Sequence, residues 1–295
     1  LGDKDLSHMA RYALERIPGE DVNKALRDAA GKLTGDLQIG MINSLGARGD
    51  TGSVTMLIGV LTSGDANSAA AAAAALGRIG DKAAAAPLMA HAAKAAAGPA
   101  QGAACDAVLE LATTLEATDK ATAKEMFSLL YEPKMPIRIR AAALKGLAAV
   151  APAETAGEIV KALGSDSAAF RGMAASLIAK LPAEATPGLA AMLPKLPPAG
   201  QASLIEALAE RQDPAARSAI VQAAGSPDAT VAVAAIGALG SVGGAQDVAI
   251  LTTAIAGGGD KAVAARGSLQ RLRGDGVNAA ILAELAKAAP AAQAQ

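Results

Sequence analysis

The stretch Ala75 to Asp81, ALGRIGD, decides the fold. It reads small residue, leucine, two variable positions, an aliphatic, then glycine and a polar turn residue. Close copies stand at Ser44 to Asp50 (SLGARGD), Ala207 to Asp213 (ALAERQD) and Ala238 to Gly244 (ALGSVGG). Looser ones stand at Ala13 to Gly19 (ALERIPG), Gly146 to Pro152 (GLAAVAP) and Ser268 to Gly274 (SLQRLRG). Anchoring each copy on its aliphatic second residue gives Leu14, Leu45, Leu76, Val108, Leu147, Ile178, Leu208, Leu239 and Leu269. The steps between them are 31, 31, 32, 39, 31, 30, 31 and 30 residues. An alanine-rich chain imitates local similarity, but it does not hold turn punctuation in phase over nine copies.

Each period holds two helical stretches of about a dozen residues and a short turn. In the third copy the pattern predicts a helix over Asn67 to Ile79, ended by Gly80, and a second over Lys82 to Ala93 capped by Asp81, whose carboxylate suits the free N–H groups of a first turn. Asp50 and Asp213 are expected to repeat that cap, with Pro214 at the first helical position. Ser226 and Pro227 are expected to open the first helix of the eighth copy. The fold class is therefore all-α: an α-α superhelix, or α-solenoid, of about nine helical hairpins over residues 1–289. No hairpin buries its own apolar row, so each leans on its neighbours. Residues 290–295 (PAAQAQ) lose the periodicity and read as a linker or tail.

The fourth period is the long one. Its helices are expected over Gly102 to Ala117 and Asp119 to Tyr131, and the two prolines of Glu132 to Pro136 (EPKMP) then force a break. Phe127, Tyr131 and Phe170, three of the chain's four aromatic residues, lie at or after this region. A change of curvature is expected near 132–136.

Composition narrows the function. Lys and Arg total 27 against 28 Asp and Glu, a net charge of -1, and there is no Trp. A nucleic-acid partner is not expected, because that affinity rests on a positive field and stacking platforms. Hydrophobic residues make up 52% with only two Phe and two Tyr, so small side chains must build the core. The uninterrupted apolar runs Ala69 to Leu76 and Ala83 to Ala90 fall far short of the roughly 20 residues of a membrane span, so no membrane insertion is expected.

Catalytic chemistry finds little footing. His8 and Tyr12 share a helix face, but no carboxylate stands within that turn to orient the imidazole. Cys105 has no CxxC context or activating base and reads as a small buried hydrophobe. One cysteine and two histidines do not make a metal cage, and no cofactor is expected. The glycines of 237–244 and 257–259 lack the preceding strand of a phosphate loop and are expected to terminate helices and shape turns. Met41, Met56, Met89, Met126, Met173 and Met192 fall near core rows and read as packing.

The phrase ALGRIGD followed by KAAAAPLMAH, with Pro87 and Leu88, resembles HEAT repeats, in particular the short bacterial type related to the phycobilin-lyase HEAT-like family. The resemblance extends over all nine units. Many copies in that family carry an Arg seven residues before the anchor. Here Arg140 and Arg171 occupy it, while Gln38, Ala69, Gln201, Ala232 and Ala262 depart from it. Leu6 to Ile17 (LSHMARYALERI) and Gln38 to Asp50 (QIGMINSLGARGD) look like HEAT segments of large, often exported bacterial proteins with sugar-acting or haem-carrying domains. That likeness implies a periplasmic or exported setting and a place within something bigger, a chain that begins inside an array.

The leading expectation is a non-catalytic scaffold. The row of second helices would present a concave surface to a protein partner or an adjoining domain, with Met56, Val60, His91, Glu158 and Lys161 pointing into it. A second expectation makes the chain the accessory part of an enzyme whose catalytic domain lies elsewhere. A third, by family likeness alone, is a tetrapyrrole or chromophore lyase. End-to-end self-association is also expected of open terminal hairpins.

Overall fold

A computed structural model describes residues 1–287; the predicted tail at 290–295 lies outside them. Among the described residues all regular structure is helical. The backbone divides into two compact units, Leu1–Val150 and Ala151–Gln295. The boundary falls between the two helices of the fifth pair. Among the described residues eighteen α-helices alternate as first and second members of nine pairs, as the period requires.

In the first unit the first helices are α1 (Ser7–Arg16), α3 (Gly35–Ala47), α5 (Ala66–Ile79), α7 (Pro99–Leu115) and α9 (Ile137–Val150). The second helices are α2 (Glu20–Ala30), α4 (Val54–Ser63), α6 (Ala85–Lys94) and α8 (Lys120–Tyr131). Successive first helices pack side by side, α1 on α3, α3 on α5, α5 on α7 and α7 on α9. The second helices form a looser layer in which α4 meets α6 and α6 meets α8. The turn Glu132–Pro136 lies inside this unit, and α8 packs against α9 across it.

The second unit repeats the scheme. Its first helices are α11 (Ala168–Ile178), α13 (Pro198–Arg211), α15 (Ala229–Val242) and α17 (Gly259–Arg271). Its second helices are α10 (Pro152–Ala162), α12 (Thr186–Met192), α14 (Arg217–Ala224), α16 (Val248–Gly257) and α18 (Val277–Lys287). The anchors Leu45, Leu76, Val108, Leu147, Ile178, Leu208 and Leu239 are all buried. Core volume thus comes from one row of Leu, Ile and Val set among alanines, as the composition demands.

Glycine sets the spacing of the first helices. A Cβ at Gly46 would fall 2.8 Å from the Cα of Ala75, one at Gly77 would fall 2.9 Å from the carbonyl oxygen of Ala107, and one at Gly240 would fall 2.8 Å from the Cα of Ser268. Each glycine directly follows an anchor, and each partner directly precedes the next anchor. The small-Leu-Gly phrase is therefore a packing device in which the small residue of one repeat rests on the glycine of the repeat before. This corrects the expectation that the glycines of 237–244 only terminate helices, because Gly237 and Gly240 lie inside α15. In the long fourth repeat Phe127 instead sits over Gly146, where a side chain would collide with its ring.

Capping follows the sequence at Asp81 and Asp213. Asp81 accepts from the N–H of Ala83 at 2.9 Å, Gly80 takes a left-handed φ of 77°, and Asp213 accepts from the N–H of Ala215 at 3.0 Å. Two expectations are corrected. Asp50 makes no side-chain cap; its buried carboxylate accepts from Arg27 Nη1 at 2.7 and 2.8 Å, and an ion pair with a cation on α2 of the preceding repeat outcompetes a local amide. The eighth copy's first helix is capped by Asp228, which accepts from Val231 N–H, while Ser226 Oγ accepts from Asp228 N–H.

Candidate functional site

The second-helix layer is where the sequence places its candidate residues. Met56 and Val60 lie one turn apart on α4, half-buried and packed on the core of the first unit. His91 lies on α6, which runs beside α4, and its ring has no hydrogen-bond or ion-pair partner among the described residues. These three belong to one unit. Glu158 and Lys161 belong to the other, on α10, where Lys161 Nζ lies 2.6 Å from Glu158 Oε1. An exposed i,i+3 pair of this kind contributes well under about 1 kcal/mol.

The second unit contains two grooves that sequence reasoning missed. The first, of about 480 Å³, runs between α12 and α14 and is lined by Pro187, Ala191, Pro194, Ala219 and Gln222 among others. The second, of about 560 Å³, lies beside α16 and is lined chiefly by Ala224, Ile250, Ala254, Gly257 and Gly258, with Lys261 at its edge. Both follow from composition, since small side chains leave space between neighbouring helices that leucine or phenylalanine would fill. Their only sequence signal is the density of Ala, Gly and Pro, which is high throughout the chain.

Cys105 and a row of Arg and Gln side chains pack or bond within the repeat framework. Cys105 is buried, with Sγ 3.8 Å from Met135 Sδ, and burial pushes its thiol pKa up, away from thiolate reactivity. Arg140 Nε donates to the carbonyl of Tyr131 at 3.3 Å, with its guanidinium 5.5 Å from the ring centroid, and Arg171 Nη1 donates to the carbonyl of Ser165 at 2.7 Å. Gln38 Nε2 donates to Ala30 O at 3.0 Å, and Gln201 Nε2 to Leu196 O at 2.8 Å. All four stand seven residues before an anchor and reach back to the end of the preceding repeat. Glutamine thus does the work of arginine there, and Gln38 and Gln201 continue the ladder that their residue type interrupts in the sequence.

A second arginine position has the same character. Arg48 Nη1 donates to the carbonyls of Leu14 and Ile17, both at 2.7 Å. Arg211 Nη1 donates to those of Ile178 at 2.6 Å and Leu181 at 2.8 Å. Each stands three residues after its anchor and holds the carbonyl end of the preceding first helix, where a cation also meets the negative end of the helix dipole. No three His, Cys, Asp or Glu side chains among the described residues group as metal ligands. No described helix is long and apolar enough to cross a membrane.

With these repeat-to-repeat contacts in hand, the comparisons can be placed. The family model for HEAT repeats matches residues 23–108 and 186–270, more than half of the chain. The chain belongs to the HEAT-repeat family. No curated protein matches it. Among solved structures this HEAT-repeat chain is similar to the complex of CpcE and CpcF of phycocyanin lyase from Nostoc sp. PCC7120, at 23% identity over 75% of this chain and 89% of that one, TM-score 0.42. It is also similar to human deoxyhypusine hydroxylase, at 20% identity over 81% and 97% of the two chains, TM-score 0.35. The Escherichia coli protein YibA is similar at 16% identity over 92% and 97%, TM-score 0.45.

Proposed function

We propose that this HEAT-repeat chain is a non-catalytic scaffold whose second-helix layer receives a helix of a protein partner or of an adjoining domain. The observation that carries the reading is the pair of open grooves beside α14, about 480 and 560 Å³, in which alanine, glycine and proline make up more than half of the lining residues. A groove lined largely by small side chains lets the backbone of an incoming helix approach closely, so affinity comes from extended contact rather than from one deep pocket. Met56, Val60 and His91 extend the same kind of face on the first unit, and Glu158 and Lys161 supply paired charges on α10. The near-neutral net charge fits a protein partner better than a polyanion.

The test is capture of binding proteins from the native source by the immobilised chain, compared with Ala191→Trp, which fills the first groove from an exposed position, and with His91→Glu. The expected result is a binder lost from one or both variants while their thermal unfolding matches the parent. Binders retained equally by all three chains would refute the reading. A titration with a linear tetrapyrrole is expected to leave the visible absorption unchanged, and a bound, shifted chromophore band would favour the lyase-like alternative.

A further inference from the structure

The seam between the sixth and seventh repeats is built differently from its neighbours in the second unit. Pro182 stands four residues after the anchor Ile178. It has no N–H for the Ile178 carbonyl, and in a continued helix its ring would collide with that oxygen, so α11 stops on its anchor. Every other first helix runs at least two residues past its own. The freed chain end is taken up by one side chain at the end of α13. Arg211 Nη1 donates to Ile178 O at 2.6 Å and to Leu181 O at 2.8 Å, Nη2 donates to Pro182 O at 2.8 Å, and Nε donates to Thr186 Oγ1 at 3.1 Å. The Thr186 hydroxyl in turn bonds the Asp213 carboxylate.

The same exchange recurs at one other seam. Pro18 follows the anchor Leu14 by four residues, and Arg48 Nη1 takes the Leu14 carbonyl at 2.7 Å. No other repeat has proline at that position, and arginine three residues after the anchor is found only in the two repeats that follow. Proline in one repeat and arginine in the next are a matched pair. Around Arg211 the second layer is also thin. Among the described residues α12 is the shortest α-helix, seven residues set between the 3₁₀ turns Ala183–Ala185 and Leu193–Lys195, and five of the chain's 14 prolines fall within 182–198. The groove of about 480 Å³ runs along it. At the other end of α13 the packing is tight, because a Cβ on Gly200 would fall 2.5 Å from the carbonyl oxygen of Leu163. Gly200 and Arg211 thus hold opposite ends of one helix, about 16 Å apart along its axis.

We infer that this seam is a joint, pinned where Gly200 meets Leu163 and latched by Arg211, and that its opening sets the width of the groove between α12 and α14. Parting the latch returns the carbonyls and the guanidinium to water, which replaces most of the hydrogen bonds lost. Parting a seam of the Gly240 and Ser268 kind uncovers close-packed apolar faces instead, which water opposes. The latched end of α13 is therefore the one that opens, and the pinned end is its pivot. For the helix-binding role proposed above, the joint adjusts the groove to its occupant. The joint itself belongs to the free chain, and its test involves no partner, so it stands or falls separately from that role.

Distances between paired spin labels on the full chain read the joint. Ala191→Cys on α12 with Gln222→Cys on α14 spans the groove at the joint, and Gln222→Cys with Thr253→Cys on α16 spans the next seam as a control. All three positions are exposed, whereas Cys105 is buried. The first pair is expected to give the broader distance distribution. Arg211→Met should shift the first pair to longer distances and leave the second in place. Arg211→Lys should fall between, because a single ammonium does not reproduce the fork of a guanidinium over four oxygens. Equally narrow distributions for the two pairs overturn the proposal. So does a first pair that Arg211→Met leaves unmoved, or a shift that appears in both pairs alike. Should Arg211→Met not fold, the parental comparison and Arg211→Lys decide on the same terms.

Discussion

Arg48 Nη1 lies 2.7 Å from the carbonyl oxygen of Ile17, and Arg211 Nη1 lies 2.8 Å from that of Leu181, the same bond one solenoid position earlier in each case. Arginine occupies a place that other repeats fill with an aliphatic residue such as Leu111 or Val242, and it replaces their apolar burial with hydrogen bonds to a helix end. Arg211→Ala is therefore expected to destabilise the second unit by about 2 to 3 kcal/mol, the scale of losing hydrogen bonds to a charged group. Urea unfolding reads this directly, and an unchanged midpoint would show that the latch is ornamental.

Glycine substitutions are expected to change sign with position. Gly157 on α10 has open space where an alanine methyl group would stand, so Gly157→Ala should stabilise by up to about 1 kcal/mol through helix propensity. Gly77→Ala gains the same propensity but drives a methyl group against the Ala107 backbone, and a net loss of about 1 to 3 kcal/mol is expected. Thermal melts of the two variants should move in opposite directions.

The pair of Arg217 and Asp247 is unequal in burial. The Asp247 side chain is wholly buried, accepting from Arg217 Nη2 at 2.5 Å, from Arg217 Nε at 2.8 Å and from the N–H of Gly244 at 2.9 Å. Asp247→Ala strands the amide and a partly buried guanidinium, and a loss of about 3 kcal/mol is expected. Arg217→Ala leaves the carboxylate buried with only the amide for company and should cost at least as much. If either variant unfolds at the parental midpoint, the pair is not holding α14 to the turn before α16.

Acid stability should depend on the helix caps. The backbone N–H of Thr122, and then the ammonium of Lys82, hold the Asp119 carboxyl below its ordinary range. A depressed carboxyl contributes fully above its unfolded value, about 3.9, and that contribution is lost as pH falls through the lower folded value. Asp119→Asn keeps the cap without the titration, so its stability should vary less than the parent's below about pH 4. Parallel profiles for the two chains would assign the acid sensitivity elsewhere.

The repeat was legible because its anchors are local and regular: Leu45, Leu76, Leu208 and Leu239 each sit in a phrase whose small neighbours and turn residue fall within a few positions. Contacts between repeats were less so. Asp50 has the local context of a cap, and nothing nearby in sequence points to Arg27 in the preceding repeat. Gln38 and Gln201 read as departures from the arginine ladder because their acceptors are backbone carbonyls, which carry no residue signature. Gly240 reads equally as a helix stop and as a site of close approach until Ser268 is placed on it. The pairing of Met56 and Val60 on one face followed from helical spacing, but the grooves beside α14 depend on interhelical distances that no single helix encodes.

The equivalence of the contacts at Gly46 and Gly77 has an evolutionary corollary. An in-frame genetic excision of the 31 residues that separate these glycines would bring Gly46 onto Ala107 with the seating that Gly77 now has, leaving no mismatched seam. Copy number can therefore drift by unequal crossing-over without inventing a new joint, whereas a loss of any fractional period would leave a methyl group facing a backbone with no room for it.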